Sequence, residues 1–154
     1  MSCCSDLIKD VFSKADPKCF SDGTVVEENK RKFTIKWERK GERTICKIKV
    51  DGCLIPDQKK NKCDFAFLIC PERHFLFVEL KGTDIEHGIK QLLDTINFFR
   101  SKTAIPKGNV TAYIVSSAVP ANANEKIREA KMRFKRDVGN DLIVKNNLCE
   151  HIVR

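Results

Sequence analysis

No apolar run in this 154-residue chain is longer than six residues, Phe65 to Cys70, against the roughly 20 that a helix needs to cross a bilayer. A helical membrane span is excluded, and no membrane partner is expected. The N-terminus, MSCCSDLIKDVF, lacks the basic start and apolar stretch of a secretory signal. The cytoplasm is therefore the expected address, with the thiols kept reduced. Chain breakers are scarce, with seven Gly and five Pro. Nothing reads as a linker, repeat or low-complexity tract, so residues 1–154 are expected to form a single domain. Ten Phe and 42% hydrophobic residues exclude a disordered chain, which needs too little apolar surface to build a core. Negative charge is also short: 21 Asp+Glu face 29 Lys+Arg, for a net charge of +8.

Cysteine, by contrast, is plentiful, at eight residues. A disulfide framework is the habit of small exported domains, and this chain is long enough to bury its own core. No C-x2-C or H-x3-H pair offers zinc its usual spacing, and Cys46, Cys53, Cys63 and Cys70 are spread too evenly for a knuckle. The cysteines read as small buried hydrophobes.

Apolar periodicity gives the order of elements. Leu7, Ile8, Val11 and Phe12 predict a helix over about 5–15, ended by Pro17. Phe33, Ile35 and Trp37, then Cys46, Ile48 and Val50, alternate with polar residues as two half-buried strands do, and the Glu38–Arg43 segment turns between them. Asp64–Ile69 and Phe75–Leu80 are apolar on both faces and predict central strands covered on each side. Ile85, Ile89, Leu92, Ile96 and Phe99 form the stripe of a helix packed on a sheet. A strand at Val110–Val115, a basic helix from Asn124 to about Arg136 and a short strand at Leu142–Lys145 complete an α/β pattern.

Two carboxylates and a lysine interrupt the apolar pattern. Asp64 heads one central strand, and Glu79 and Lys81 close the other. Buried charges require a partner or a metal. If the strands pair antiparallel through a four-residue connection, Cys70 to Arg73, Ile69 faces His74 and Asp64 falls opposite Glu79. Opposed side chains have Cβ atoms about 4.5–5.5 Å apart, near enough for two carboxylates to share one cation. Lys81, two residues beyond Glu79, shares its face. Mg²⁺, with Mn²⁺ as a substitute, suits such hard oxygen donors, and a neighbouring lysine can orient water or meet charge growing on a phosphoryl oxygen.

Asp64 on one strand and Glu79-Leu80-Lys81 on the next resemble the D-x(n)-(D/E)-x-K core of the PD-(D/E)XK, or restriction-endonuclease-like, nucleases. The resemblance covers about residues 25–116. It implies a mixed central sheet flanked by helices and metal-dependent endonuclease activity, with DNA preferred over RNA as the nucleic-acid substrate. It assigns the metal to Asp64, Glu79 and the intervening Leu80 position. Cys63 stands where the family name has Pro, and the literal Pro56-Asp57 pair lies in a lysine-rich loop with no apolar strand to fix it. Some branches carry a glutamine on the next helix with a tyrosine four residues on; Gln91 fits the first, and Thr95 replaces the second. An upstream acid is assigned to Glu28, with Glu27, Asp10 and Asp51 as rivals.

His74 and His87 read as surface residues, and Gly82 as the bend from strand to helix. Lys59, Lys60 and Lys62, and the cations from Lys126 to Arg136, are candidate phosphate contacts. Cutting both strands of a duplex takes two centres, which a homodimer built on the N-terminal helix or on Leu148, Ile152 and Val153 would supply. Nicking needs only a monomer, and target choice would fall to a partner protein. The alternative function is a non-catalytic nucleic-acid-binding module of the same fold.

Overall fold

The computed structural model describes residues 11–58, 60–81, 84–139 and 141–154. Cys3, Cys4, Asp10, Lys59 and Gly82, and most of the helix expected over 5–15, lie outside them. In the described part of that helix the chain turns through 12–15, with Phe12 buried.

A 3-10 helix, Pro17–Cys19, leads into β1 (Phe20–Ser21). β2 (Val25–Glu28) and β3 (Arg31–Trp37) form a hairpin. Its turn residues, Asn29 and Lys30, have φ of 51° and 65°, the backbone a two-residue turn needs between right-twisted strands. β4 (Thr44–Lys49) precedes β5 (Phe65–Cys70) and β6 (His74–Lys81). Asp84 then caps α1 (Ile85–Lys102), its carboxylate accepting the His87 N–H at 3.1 Å. After β7 (Val110–Ser116), α2 (Asn124–Arg133) runs on into a π turn, Phe134–Val138. Gly139 closes that turn at φ 86°, where a Cβ would meet the Lys107 Cβ at 2.5 Å, so space and backbone both call for glycine. β8 (Leu142–Asn146) and β9 (Leu148–Val153) follow.

The strands make two sheets. The larger is mixed, in the order β1-β4-β5-β6-β7-β8, antiparallel as far as β6 and parallel from β6 to β8. α1 supplies the crossover that the parallel β6–β7 pair demands. The smaller has the order β2-β3-β9, with β3 and β9 parallel. β3 and β4, consecutive along the chain, therefore belong to different sheets.

Each face of the large sheet has its own core. Phe75, Phe77, Ile85, Leu92 and Phe99 are among the residues packed beneath the helices. On the other face Val26, Phe33 and Ile35 meet Phe67, Leu76 and Val78. The mixed α/β sheet is as expected, but among the described residues only one face carries helices; the other is covered by the small sheet. The alternation of β2 and β3 explains the difference, because strands apolar on one side form a layer with one face on a core and one in water.

The cysteines divide into two groups. Cys46, Cys63 and Cys149 are buried thiols outside any disulfide, as small hydrophobes. Cys19 and Cys53 are joined by a disulfide, and Cys70 is also disulfide-bonded, which corrects the expectation of wholly reduced thiols.

Candidate active site

β5 and β6 pair in the register that the four-residue connection requires, from Ile69 opposite His74 to Phe65 opposite Val78. One step further, Asp64 and Glu79 hold each other. The Asp64 N–H donates to Glu79 Oε1 at 3.1 Å, and Asp64 Oδ2 accepts the Leu80 N–H at 2.8 Å. Lys81 Nζ lies 3.6 Å from Glu79 Oε2. Leu80 gives the site its N–H, while its side chain packs into the core on the opposite face.

Glu79 is 2% exposed, and burial followed by the Asp64 charge pushes its carboxyl up to about 9, against the pull of Lys81. Asp64 is pushed up to about 6, chiefly by burial; the Leu80 N–H opposes the rise, and the charges of Glu28 and Asp51 add to it. The two carboxyls are close enough to share a hydrogen bond. Such a pair retains a proton at neutral pH, chiefly on Glu79, and a divalent cation could take its place. Among the described residues no three His, Cys, Asp or Glu side chains converge on a metal position. Asp64 and Glu79 could therefore hold a cation only with water or other oxygens in its remaining positions, the mode that Mg²⁺ prefers.

α1 fixes the approach to Asp64 through backbone contacts. Gln91 Nε2 donates to the Lys62 carbonyl at 3.0 Å, and Thr95 Oγ1 accepts the Cys63 N–H at 2.8 Å while donating to the Gln91 carbonyl at 2.7 Å. With Glu79 taking the Asp64 N–H, three successive residues are gripped by side chains. Gln91 thus positions the chain that carries Asp64, and its Oε1 is buried without a partner. Gly88 brings the helix against the site: a Cβ there would lie 3.6 Å from Glu79 Cγ and 3.7 Å from Lys81 Cγ. Thr95, met in the sequence only as a missing tyrosine, is a fully buried part of this support. Its place on the flank of the helix stripe beside Gln91 was the available signal.

Glu28 ends β2 on the same face as Val26, is itself exposed, and its charge bears on Asp64. Glu27, also exposed, points the other way. Asp51 sits beside Asp64, its N–H 3.4 Å from the Asp64 carbonyl and its carboxylate 3.7 Å from Lys62 Nζ. Both charges therefore bear on Asp64, without converging with the pair on one metal position.

The candidate phosphate contacts fare unevenly. Lys62 is turned inward and 5% exposed, donating to the carbonyls of Asp57 and Lys60. On α2 and its extension, Lys126, Arg133, Lys135 and Arg136 each have an acidic neighbour. His87 is exposed as expected. His74 is not a surface turn residue: it opens β6, half-buried, and bonds Thr111 at 2.9 Å at the end of the sheet remote from Asp64. A cavity of about 580 Å³ lined by Asp84, His87, Lys90, Asp94 and Arg133 includes none of the site residues. Comparison with protein-family models, curated proteins and solved structures found no match.

Proposed function

We propose that the protein is a metal-dependent nuclease that hydrolyses phosphodiester bonds in DNA, on a restriction-endonuclease-like version of its mixed α/β fold. The observation that carries this reading is the buried Asp64–Glu79 pair with the Lys81 ammonium 3.6 Å from Glu79 Oε2. Asp64 and Glu79 would hold Mg²⁺ or Mn²⁺ beside Leu80. When bound, such a cation supplies Lewis-acid polarisation of the phosphate and a more acidic water. The residues themselves do the rest. Glu79 gives up its retained proton to solvent as the site is loaded. Lys81 orients the attacking water and offsets the charge that grows on the phosphoryl oxygens as the water loses a proton to solvent, its oxygen bonds to phosphorus, and the phosphorus–oxygen bond to the sugar breaks with the sugar oxygen taking a proton from solvent. Gln91 and Thr95 keep the Asp64 backbone fixed through that change, so no reorganisation is needed during attack.

The test is incubation of the protein, and of Glu79→Ala and Lys81→Ala, with plasmid, linear and single-stranded DNA and with RNA, in Mg²⁺, Mn²⁺ or EDTA. Cleavage by the wild type alone, abolished by EDTA, is the expected result. Full activity in both variants overturns the reading. Salt-sensitive binding with no cleavage of any substrate would assign the chain to non-catalytic nucleic-acid binding instead.

A further inference from the structure

Arg31 opens β3 directly opposite Glu28. Alternation puts it on the face that carries Phe33 and Ile35 into the core against the large sheet. The Lys32 N–H donates to the Asn147 carbonyl at 2.7 Å and the Asn147 N–H to the Ser116 carbonyl at 2.8 Å, and Ser116 is the strand partner of Lys81, so the start of β3 lies at the end of the large sheet that carries Lys81. Glu28, the cross-strand partner of Arg31, has its charge felt at Asp64. Arg31 is thus a cation facing the large sheet at that end, on the side of the Leu80 side chain. Its Nε is buried and has no hydrogen-bond partner.

An arginine that leaves a buried donor unmatched costs the folded protein free energy, and an anionic oxygen arriving from outside would recover it. Guanidinium is also the side chain whose fork matches a phosphate. Resting on the nuclease reading, we propose that Arg31 is a phosphate-binding residue, taking a backbone phosphate of the nucleic acid at the end of the large sheet where Glu79 and Lys81 lie. Lys32, one residue on, faces the exposed side of the same strand and carries the same charge away from the site. The substrate backbone would then pass between the β2–β3 turn and the start of β5.

The experiment is fluorescence anisotropy with a labelled single-stranded oligonucleotide and the matching duplex, in EDTA to prevent cleavage, as a function of salt. The wild type, Arg31→Met, Arg31→Lys and Lys32→Met are compared. Arg31→Met is expected to weaken binding about tenfold and to flatten the log–log salt slope by about 0.9 on duplex, the value of one lost phosphate contact. Arg31→Lys should restore the slope, and Lys32→Met should match the wild type. The thermal midpoint of Arg31→Met should equal or exceed that of the wild type, a result a structural role would not give. Equal effects of Arg31→Met and Lys32→Met, or a strongly destabilised Arg31→Met, overturn the assignment of Arg31 alone. A wild type that binds neither oligonucleotide removes the nuclease reading and this inference with it.

Discussion

Asp64 and Glu79 are locked reciprocally: the backbone of the first donates to the carboxyl of the second at 3.1 Å, and the carboxyl of the first accepts from the residue that follows the second at 2.8 Å. Neither carboxyl can leave the other without giving up a buried backbone bond, so their repulsion is built into the folded state.

This arrangement sets a pH dependence. Both carboxyls rise on folding, from 3.8 to about 6 and from 4.5 to about 9. The folded state therefore holds protons that the unfolded chain has released. Stability from this pair is fully present below the unfolded values and is lost as pH climbs through the folded ones. The thermal midpoint of metal-free protein should fall between about pH 4.5 and 9, and Mg²⁺ should reverse the alkaline part of the fall. Differential scanning calorimetry with and without Mg²⁺ checks both.

Glu79→Gln removes one charge of the pair and keeps its shape. Replacing a repelled, buried carboxylate should raise the midpoint of metal-free protein at pH 9 by roughly 2–4 °C per kcal/mol gained, while cleavage falls at least about 100-fold. A lower midpoint would mean that the pair is not strained by its own charge.

Thr95→Val leaves the Cys63 N–H without its acceptor in a fully buried position. A loss of about 1–3 kcal/mol is expected in urea unfolding, together with weaker Mg²⁺ binding by titration calorimetry, because the segment that orients Asp64 is loosened.

Gly88 separates tolerance from obstruction. An alanine Cβ would make ordinary contacts of 3.5–3.7 Å with Ile114, Glu79 and Lys81, and alanine is favoured over glycine in helices by about 0.8–1 kcal/mol. Gly88→Ala should gain about that much stability and keep activity. Gly88→Leu should push into Glu79 and Lys81 and abolish cleavage.

The carboxylate pair was legible because two short apolar runs separated by a few polar residues admit few registers, and each end of the hairpin was marked by charge. The choice of Glu28 over Glu27 as an upstream acid had no such physical basis in the sequence. Glu27 and Glu28 are equivalent in VVEENKRK until the turn at Asn29-Lys30 fixes which one shares a face with Val26. The small sheet was hidden for a related reason. β3 pairs with β9, from the far end of the sequence, and LCEHIV has no strong alternation to announce that contact. Arg31 went unnoticed with it, since its inward direction exists only once β3 lies across the large sheet. The Cys19–Cys53 link joins the segment before β1 to the loop after β4, a proximity that cysteine spacing does not encode.

The parallel pairing of β3 with β9 bears on the order in which the protein can be made. A chain emerging from its N-terminus offers β2 and β3 early, but their third strand arrives only with residues 148–153. The β2–β3 hairpin cannot be tied to β9 until that strand has left the ribosome. Asp64, Glu79 and Lys81 are thus all made before the small sheet can be completed.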